Sequence, residues 1–246
     1  KAHSIGHVCT KEDALDLPEK VFIDRYCDLE PSARKMYEEM KYEAILMLDE
    51  DRAVIGQNAL TRLLRLTQIT GGFLRHNEEV VQVSTAKMSL LREVLLDALE
   101  QEDKLVVVAH KTPEINAIMD MLRSRDFSHL YHNHRVGRID GGVKQSLREE
   151  YIDEFQNSNM RVMVLQEKAG GAGITLHASA LMVRYSGGSS SIDYRQVIDR
   201  IHRIGQKRVC RYVSLLCDNT FDFPQLESLR SKEGAARLTP AMVREM

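Results

Sequence analysis

Two hydrophobic patterns alternate along this chain from residue 105 onward. Short apolar runs are typical of strands that are covered on both faces of a sheet. They occupy residues 105–109, 161–165 and 209–216, and residues 136–142 have the pattern of a strand followed by a tight turn. Apolar residues three or four positions apart lie between the runs and predict amphipathic helices. The order of strand, helix, strand, helix, strand, loop, strand, helix and strand predicts an α/β fold, with a parallel sheet flanked by helices and joined by right-handed crossovers.

The first helix of this series has the clearest start and the clearest apolar face. Thr112 is its predicted N-cap and Pro113 its first helical residue, an order that is common at helix N-termini. The apolar stripe that follows consists of Ile115, Ile118, Met119 and Leu122. The next helix has a stripe at four-residue spacing, which consists of Leu147, Tyr151 and Phe155.

Three more helices are predicted before residue 105. The first begins at Pro31, the second ends at Gly71 and the third starts near Ser84. The residues predicted to line their inner faces are Met36, Met40, Ala44 and Met47 in the first, Leu60, Leu63, Leu64 and Ile69 in the second, and Leu91, Val94, Leu95 and Ala98 in the third. We expect the methionines to fill the core rather than to form a binding surface.

The strongest functional signal in the chain is the sequence QVIDRIHRIGQ at residues 196–206. Arg200 and Arg203 stand three apart in a predicted helix, so both guanidinium groups would share one face. Two fixed cations suit an anion whose charge builds up during a reaction, above all a transferring γ-phosphoryl group. The alternative interpretation is an amphipathic helix whose charged side simply faces solvent.

A glycine-rich loop, residues 166–173, follows the apolar run at 161–165. Glycine allows the backbone to turn sharply or to approach a phosphate group closely, with amide groups directed at the anion. Glycine-rich turns after strands are common and usually structural, so this loop identifies no ligand by itself.

Taken in order, these segments resemble the helicase motifs of the SNF2 family of DNA translocases. The pattern Q-x-x-x-R-x-x-R-x-G-Q at residues 196–206 resembles the last motif, and residues 166–176 resemble the fifth. Residues 105–114 and 136–142 resemble the fourth motif and the Asp-Gly segment that follows it. The resemblance implies the second RecA-like lobe of a helicase-type motor.

The resemblance also implies roles for single residues. Arg200 and Arg203 would be the catalytic residues, which reach across a cleft to ATP held by another lobe. The residues assigned to the ATP cleft are Gly173, Gln196, Gly205 and Gln206. The residues assigned to a DNA track, at the carboxyl ends of strands, are Lys111, Thr112, Gly141, Gly142, Lys168, Ala169 and Gly170. Gln166 and Glu167 stand where the family usually has small hydroxyl residues, which argues against a hydroxyl-to-phosphate contact there.

Two motifs that such motors need do not occur in the sequence. It has no G-x-x-x-x-G-K-[S/T] phosphate loop and no D-E-x-H or similar acidic motif for a metal ion. In the family both belong to the first lobe, so we expect this chain to be the C-terminal half of a larger ATPase. ATP and Mg²⁺ would be held mainly by that first lobe; the fragment alone would bind neither and would not hydrolyse ATP.

The expected partners are double-stranded DNA and the protein's own N-terminal RecA-like lobe. In this interpretation, cycles of lobe closure and opening move the protein along duplex DNA without unwinding it. Two alternatives stay open: a strand-separating superfamily 2 helicase, and a non-catalytic platform for DNA or protein. The intact Arg200, Arg203, Gly205 and Gln206 argue against the platform, because a platform has little need of them.

The N-terminal part resembles the family's linker and helical region. Residues 17–26 resemble the Leu-Pro-x-Lys linker with its strand, and Lys87 matches a Ser-x-Lys-like segment before lobe 2. Residues 186–191 are rich in serine and glycine where many relatives carry Trp-Asn-Pro, which points to a bacterial or phage-type branch. The predicted division is residues 1–30 for the linker and strand, 31–84 for the helical region, 85–230 for the RecA-like lobe and 231–246 for a C-terminal tail.

Composition sets few further limits. The formal net charge of −2 argues against wholesale non-specific binding to nucleic acid, although six cations crowd residues 195–211. No apolar run has membrane-spanning length, and the four cysteines lack Cys-x-x-Cys spacing. The short cluster of His129, His132 and His134 lacks a Cys or carboxylate partner, so no metal site is predicted. We expect an intracellular protein, cytoplasmic if it is bacterial or from a phage and nuclear if it is eukaryotic.

Overall fold

The computed structural model describes residues 17–49, 53–76, 79–101, 104–128, 136–169 and 173–231. Its strands are β1 (Lys20–Cys27), β2 (Phe73–His76), β3 (Glu79–Gln82), β4 (Leu105–Ala109), β5 (Val136–Ile139), β6 (Val162–Gln166), β7 (Leu181–Arg184) and β8 (Cys210–Cys217). Its helices are α1 (Pro31–Asp49), α2 (Ala53–Thr70), α3 (Ala86–Gln101), α4 (Thr112–Arg123), α5 (Arg125–Ser128), α6 (Gln145–Asn157), α7 (Ser191–Ile198) and α8 (Asp222–Arg230). None of the described helices is long and apolar enough to cross a membrane.

Six of the strands form one sheet in the order β1-β8-β7-β4-β6-β5, and every neighbouring pair is parallel. All five residues of β4 are buried, as its continuous apolar run predicts for an inner strand. The strand that the sequence pattern placed after the glycine-rich loop is β7. The predicted parallel sheet flanked by helices is therefore confirmed.

Helices cover both faces of this sheet. Because successive residues of a strand point to opposite faces, Val107 packs with α3 and α4 while Val106 and Val108 pack with α6, α7 and α8. The predicted stripe of α4 is buried throughout. Its start is one residue earlier than predicted, since Thr112 is already helical and Lys111 is in the N-cap position.

The helices α1 and α2 enclose a separate small core with the end of β8. Of the predicted inner residues, Leu63 and Ile69 lie in this core, Met40 packs against it and Ala44 is buried, but Met36 and Leu64 are exposed. Each exposed residue is adjacent in sequence to a buried one, Tyr37 or Leu63, because neighbours on a helix point in directions about 100° apart. The side chains of the predicted Met47 and Leu60 lie outside the described residues.

A buried carboxylate joins this helical region to the sheet. Asp222, the first residue of α8, accepts a hydrogen bond from Thr70 Oγ1 at 2.8 Å and one from the Cys217 backbone nitrogen at 2.9 Å. It also forms an ion pair with the buried Lys87 at 2.5 Å. Lys87, which matched the segment before lobe 2, is therefore a structural cation between α3 and α8.

The strand predicted within the linker, β1, is the edge strand of the same sheet. It pairs with β8 from Lys20 opposite Cys210 to Cys27 opposite Cys217. Phe22 and Tyr26 on this strand are exposed, at 43% and 50%. The linker strand is thus part of the sheet, while the boundaries of the predicted domains stay a prediction.

Candidate functional site

The segment that carries the two arginines is a series of turns rather than a helix. We call residues 199–206 the arginine segment; α7 ends just before it, at Ile198. The Arg200 carbonyl oxygen accepts a hydrogen bond from the Leu176 backbone nitrogen at 2.8 Å, and this contact replaces the bond that would continue the helix. The predicted arginine helix is therefore wrong.

The two guanidinium groups nevertheless lie together, as predicted. Arg200 Nη1 donates to the Ile174 carbonyl oxygen at 3.2 Å, and Arg203 Nη1 donates to the same oxygen at 3.2 Å. Arg203 Nη1 also lies 3.1 Å from Thr175 Oγ1 and 3.4 Å from the Gly173 carbonyl oxygen. A stretch of backbone after the glycine-rich loop thus fixes both cations.

Electrostatics at this pair favour a bound anion. Arg200 is 6% exposed, and burial lowers the pKa of its guanidinium. The neighbouring charge of Arg203 lowers it further, while Asp199 acts in the opposite direction. Two cations held together against desolvation and mutual repulsion are stabilised by any anion that lies between or beside them.

The predicted ATP-cleft residues divide into exposed and structural positions. Gly173 and Gln196 are exposed, and Gly173 has a φ of +59°; among the described residues, none apart from its chain neighbours lies within 4 Å of where a Cβ at this position would be. Gly205 has a φ of +100°, and a side chain there would meet the ring of His177 at 3.2 Å. The arginine segment therefore requires glycine at 205 for its backbone shape.

Gln206, the last predicted cleft residue, is fully engaged inside the chain. Its Nε2 donates to the carbonyl oxygens of His177, Ser179 and Ile201 at 2.7–3.1 Å. Its Oε1 accepts from the backbone nitrogens of Lys207 and Arg208, both at 3.0 Å. Every donor and acceptor of this amide is used, so Gln206 holds the arginine segment in place and has none left for a nucleotide.

The described residues of the predicted DNA track lie at one edge of the sheet. Lys111 and Thr112 follow β4, Gly141 and Gly142 follow β5, and Lys168 and Ala169 follow β6. Because these three strands are parallel neighbours, their carboxyl ends meet at the same edge. Gly170 lies outside the described residues.

Backbone amides of this track are already bonded within the chain. The Gly141 nitrogen donates to Gln166 Oε1 at 3.2 Å, the Gly142 nitrogen to Asp140 Oδ1 at 2.9 Å, and the Lys111 nitrogen to Glu114 Oε2 at 2.9 Å. The exposed side chains of this track are those of Lys168 and Thr112. At Lys111, Gly141 and Gly142 the arrangement argues against a backbone cradle, and the two exposed side chains offer a lysine charge and a hydroxyl for a phosphate.

Gln166 and Glu167, which depart from the family pattern, hold the loops of this edge together. Gln166 accepts from Gly141 and donates through Nε2 to the His110 carbonyl oxygen at 3.3 Å. Glu167 is 2% exposed and accepts from His110 Nδ1 at 3.1 Å and from the Gly188 nitrogen at 2.5 Å. Burial alone would raise the pKa of Glu167, but the His110 hydrogen bond and the charge of Arg184 hold it below its ordinary value.

The loop after β6 therefore reaches both candidate sites. Its start carries Lys168 and Ala169 of the DNA track, and residues 173–175 bind the two arginines. Within the part of the chain that the structure describes, no three His, Cys, Asp or Glu side chains form a metal-binding group. The cluster of His129, His132 and His134 lies outside those residues.

Comparison with known proteins gives a consistent picture. A family model described as the helicase conserved C-terminal domain matches residues 86–205. The chain is 26% identical over 215 residues to an uncharacterized ATP-dependent helicase of Mycoplasma pneumoniae, covering 87% of this chain and 20% of that protein. It is 27% identical over 219 residues to the mouse SWI/SNF-related matrix-associated actin-dependent regulator of chromatin subfamily A member 1, covering 84% and 20%. The chain spans about a fifth of the length of these relatives.

A solved structure gives the same architecture. The Sulfolobus solfataricus SWI2/SNF2 ATPase core in complex with double-stranded DNA superposes with a TM-score of 0.67 at 23% identity. The likeness covers 92% of this chain and 47% of that one. At this identity it shows a shared fold, the RecA-like parallel sheet flanked by helices.

Proposed function

This chain belongs to the SNF2 family of superfamily 2 helicase-like ATPases as a C-terminal RecA-like lobe, and we propose that in the full-length protein it couples ATP hydrolysis to movement along double-stranded DNA. The observation that carries the proposal is the convergence of Arg200 and Arg203 on the Ile174 carbonyl oxygen. A fixed pair of guanidinium groups matches a charge that appears only during reaction.

The proposed chemistry is stabilisation of a phosphoryl group in transfer. In ATP hydrolysis the γ-phosphoryl group passes from ADP to water, and charge is spread over its three equatorial oxygens. Arg203, the more exposed of the pair, would bind these oxygens, and Arg200 would add a second positive charge behind it. ATP and Mg²⁺ would be held mainly by the first lobe, and we assign no residue of this chain to the metal ion.

The proposed DNA contact lies at the carboxyl edge of β4, β5 and β6. Lys168 and Thr112 would bind backbone phosphates, a contact that positions the protein without reading base sequence. The relative from Sulfolobus solfataricus, whose structure contains double-stranded DNA, supports duplex rather than single-stranded DNA as the partner. Because the loop after β6 contacts both sites, movement of bound DNA would be transmitted to the arginine segment.

Two activities of the full-length protein test this function together. We expect duplex DNA to stimulate ATP turnover, and we expect ATP-driven displacement of a third strand from a triplex without separation of the two duplex strands. Separation of a plain duplex would replace the proposal with a strand-separating helicase. Absence of turnover with every DNA tested would leave a non-catalytic platform.

A further inference from the structure

One partly buried hydrogen bond joins the arginine segment to the linker-like stretch at residues 17–19. We propose that His202 is a positioning residue, which fixes the placement of Arg203 relative to this stretch. The inference rests on the proposed function, in which Arg203 binds the phosphoryl group. It assigns to His202 a role in turnover that acts through Arg203 and not through the substrate.

The bond itself is short and shielded. His202 Nε2 lies 2.8 Å from the Pro18 carbonyl oxygen, and His202 is 4% exposed. A carbonyl oxygen can only accept, so the imidazole carries a proton on Nε2 and donates it. Breaking this bond would leave the Pro18 oxygen without the donor that now satisfies it, in a place that water reaches poorly.

Contacts on either side hold the same stretch against the segment. The Cys210 backbone nitrogen donates to the Glu19 carbonyl oxygen at 2.9 Å, and Lys20 begins the pairing of β1 with β8 opposite Cys210. Lys20 Nζ also approaches Asp199 Oδ1 at 3.9 Å, a weaker contact because both groups are partly exposed. Residues 17–20 therefore touch the first residue of the arginine segment, its middle and the chain that follows it.

The position of His202 makes this bond relevant to Arg203, which is the next residue. The arginine segment lacks the repeating hydrogen bonds of a helix, so a small number of tertiary contacts determine its shape. A catalytic group that moves by about 1 Å loses roughly 100-fold in rate. Residues 17–20 resemble the segment that links the two lobes in the SNF2 family. The bond would therefore couple the position of Arg203 to the position of the first lobe.

The test uses two variants of the full-length protein that differ in one donor. His202→Leu fills the space but cannot donate, whereas His202→Gln places an amide nitrogen near the position of the imidazole Nε2. We expect His202→Leu to lower kcat by roughly 10- to 100-fold with KM for ATP changed less than about twofold. We expect His202→Gln to recover most of kcat. Pro18→Ala, which keeps the carbonyl acceptor, should retain near-normal kcat.

Combination with Arg203→Ala separates the possible outcomes. If His202 acts through Arg203, His202→Leu should lower the single-turnover rate little further in the Arg203→Ala background. A full additional loss there, an equal loss for Gln and Leu, or a normal kcat for folded His202→Leu would each overturn the role of His202. Normal turnover of Arg203→Ala alone would instead overturn the proposed function. Thermal unfolding of each variant shows whether His202→Leu has folded. If it has not, the decisive comparison is that of His202→Gln with His202, each measured with Arg203 and with Arg203→Ala.

Discussion

At the scale of single residues, Arg200 and Arg203 differ in their burial and in the hydrogen bonds that they form within the chain. Arg200 is buried, and its carbonyl oxygen accepts a hydrogen bond from the Leu176 backbone nitrogen. Arg203 is half-buried, and its guanidinium donates through one nitrogen, Nη1, beside the exposed Gly173. Arg203 is therefore the better placed of the two to meet a ligand from another lobe.

Replacement of Arg203 should separate catalysis from stability. In the full-length protein, we expect Arg203→Ala to lower kcat by roughly 10³-fold or more, because an arginine finger acts on charge that appears in the transition state. Arg203→Lys should recover little, since an ammonium cannot reproduce the planar fork. Arg208→Ala is the matched control, because the exposed Arg208 also donates to a backbone oxygen, that of Ala178 at 2.9 Å. Steady-state turnover and thermal unfolding measure both effects, and a Tm lower by several degrees with near-normal turnover would make Arg203 structural.

Lys168 is the exposed cation of the DNA track. We expect Lys168→Ala in the full-length protein to weaken duplex binding by a similar factor for different sequences, and to reduce the slope of log K against log salt by about 0.9. Lys35→Ala on the exposed side of α1 should leave the slope unchanged. Binding titrations at several salt concentrations measure the slope. An unchanged slope for Lys168→Ala would remove this side chain from the DNA contact.

At the scale of secondary-structure elements, the hydrophobic pattern predicts strands and helix faces that are buried along their whole length. It fails where contacts between residues distant in sequence determine the structure. The strand β4 and the inner face of α4 could be predicted because their apolar residues are all buried. The turns after α7 are bonded to Leu176, which is 24 positions from Arg200 and donates its backbone N–H to the Arg200 carbonyl oxygen. No spacing within residues 196–206 contains that information.

The candidate site shows the same division. The motif identified Arg200 and Arg203 and the fact that they lie together, but not the backbone oxygens that hold them. Gln166 and Glu167 looked like departures from a pattern, and their bonds to His110 and to the loops of Gly141 and Gly188 exist only once the strands are adjacent. The only signal in the sequence was that two large polar residues replaced small ones.

The start of α3 has a cap that comes from far away in sequence. Glu30 accepts hydrogen bonds from Ser84 Oγ at 2.6 Å, the Thr85 nitrogen at 2.8 Å and Thr85 Oγ1 at 2.7 Å. Partial burial alone would raise the pKa of Glu30, but these bonds lower it to about 2. A carboxylate therefore acts at the positive end of α3 and ties the connection between β1 and α1 to it.

This cap predicts a pH dependence of stability. A carboxyl group whose pKa is lower in the folded state stabilises the fold above its ordinary pKa, and the stabilisation is lost as the pH falls through the folded value. We expect Glu30→Gln to lower Tm at pH 7, and we expect the difference from wild type to shrink between about pH 4.5 and about pH 2. Glu39→Gln, on the exposed side of α1, is the control for loss of one charge. A Tm difference that stays constant over this range would contradict the role of the Glu30 carboxylate.

At the scale of the whole molecule, this lobe carries the two arginines proposed to bind a phosphoryl group, but its sequence has no phosphate loop. The sequence lacks both the G-x-x-x-x-G-K-[S/T] pattern and an acidic motif for Mg²⁺. We expect the isolated chain to show negligible ATP turnover with or without duplex DNA, and to bind ATP only weakly. Phosphate release from the purified chain measures this, with the full-length protein as the positive control. DNA-stimulated hydrolysis by the isolated chain would contradict the division of labour between two lobes.

The position of β1 at the edge of the sheet also has a consequence for synthesis of the protein. Its partner β8 lies 190 residues later, where Cys27 meets Cys217. At about 5–20 residues per second, a ribosome delivers that partner roughly 10–40 s after β1 has been made. During this interval β1 has no strand to pair with, and the backbone groups that later bond to β8 stay accessible to chaperones or to other nascent chains. In this sheet β1 is thus translated before its partner by this interval, and translation sets the earliest moment at which the sheet is complete.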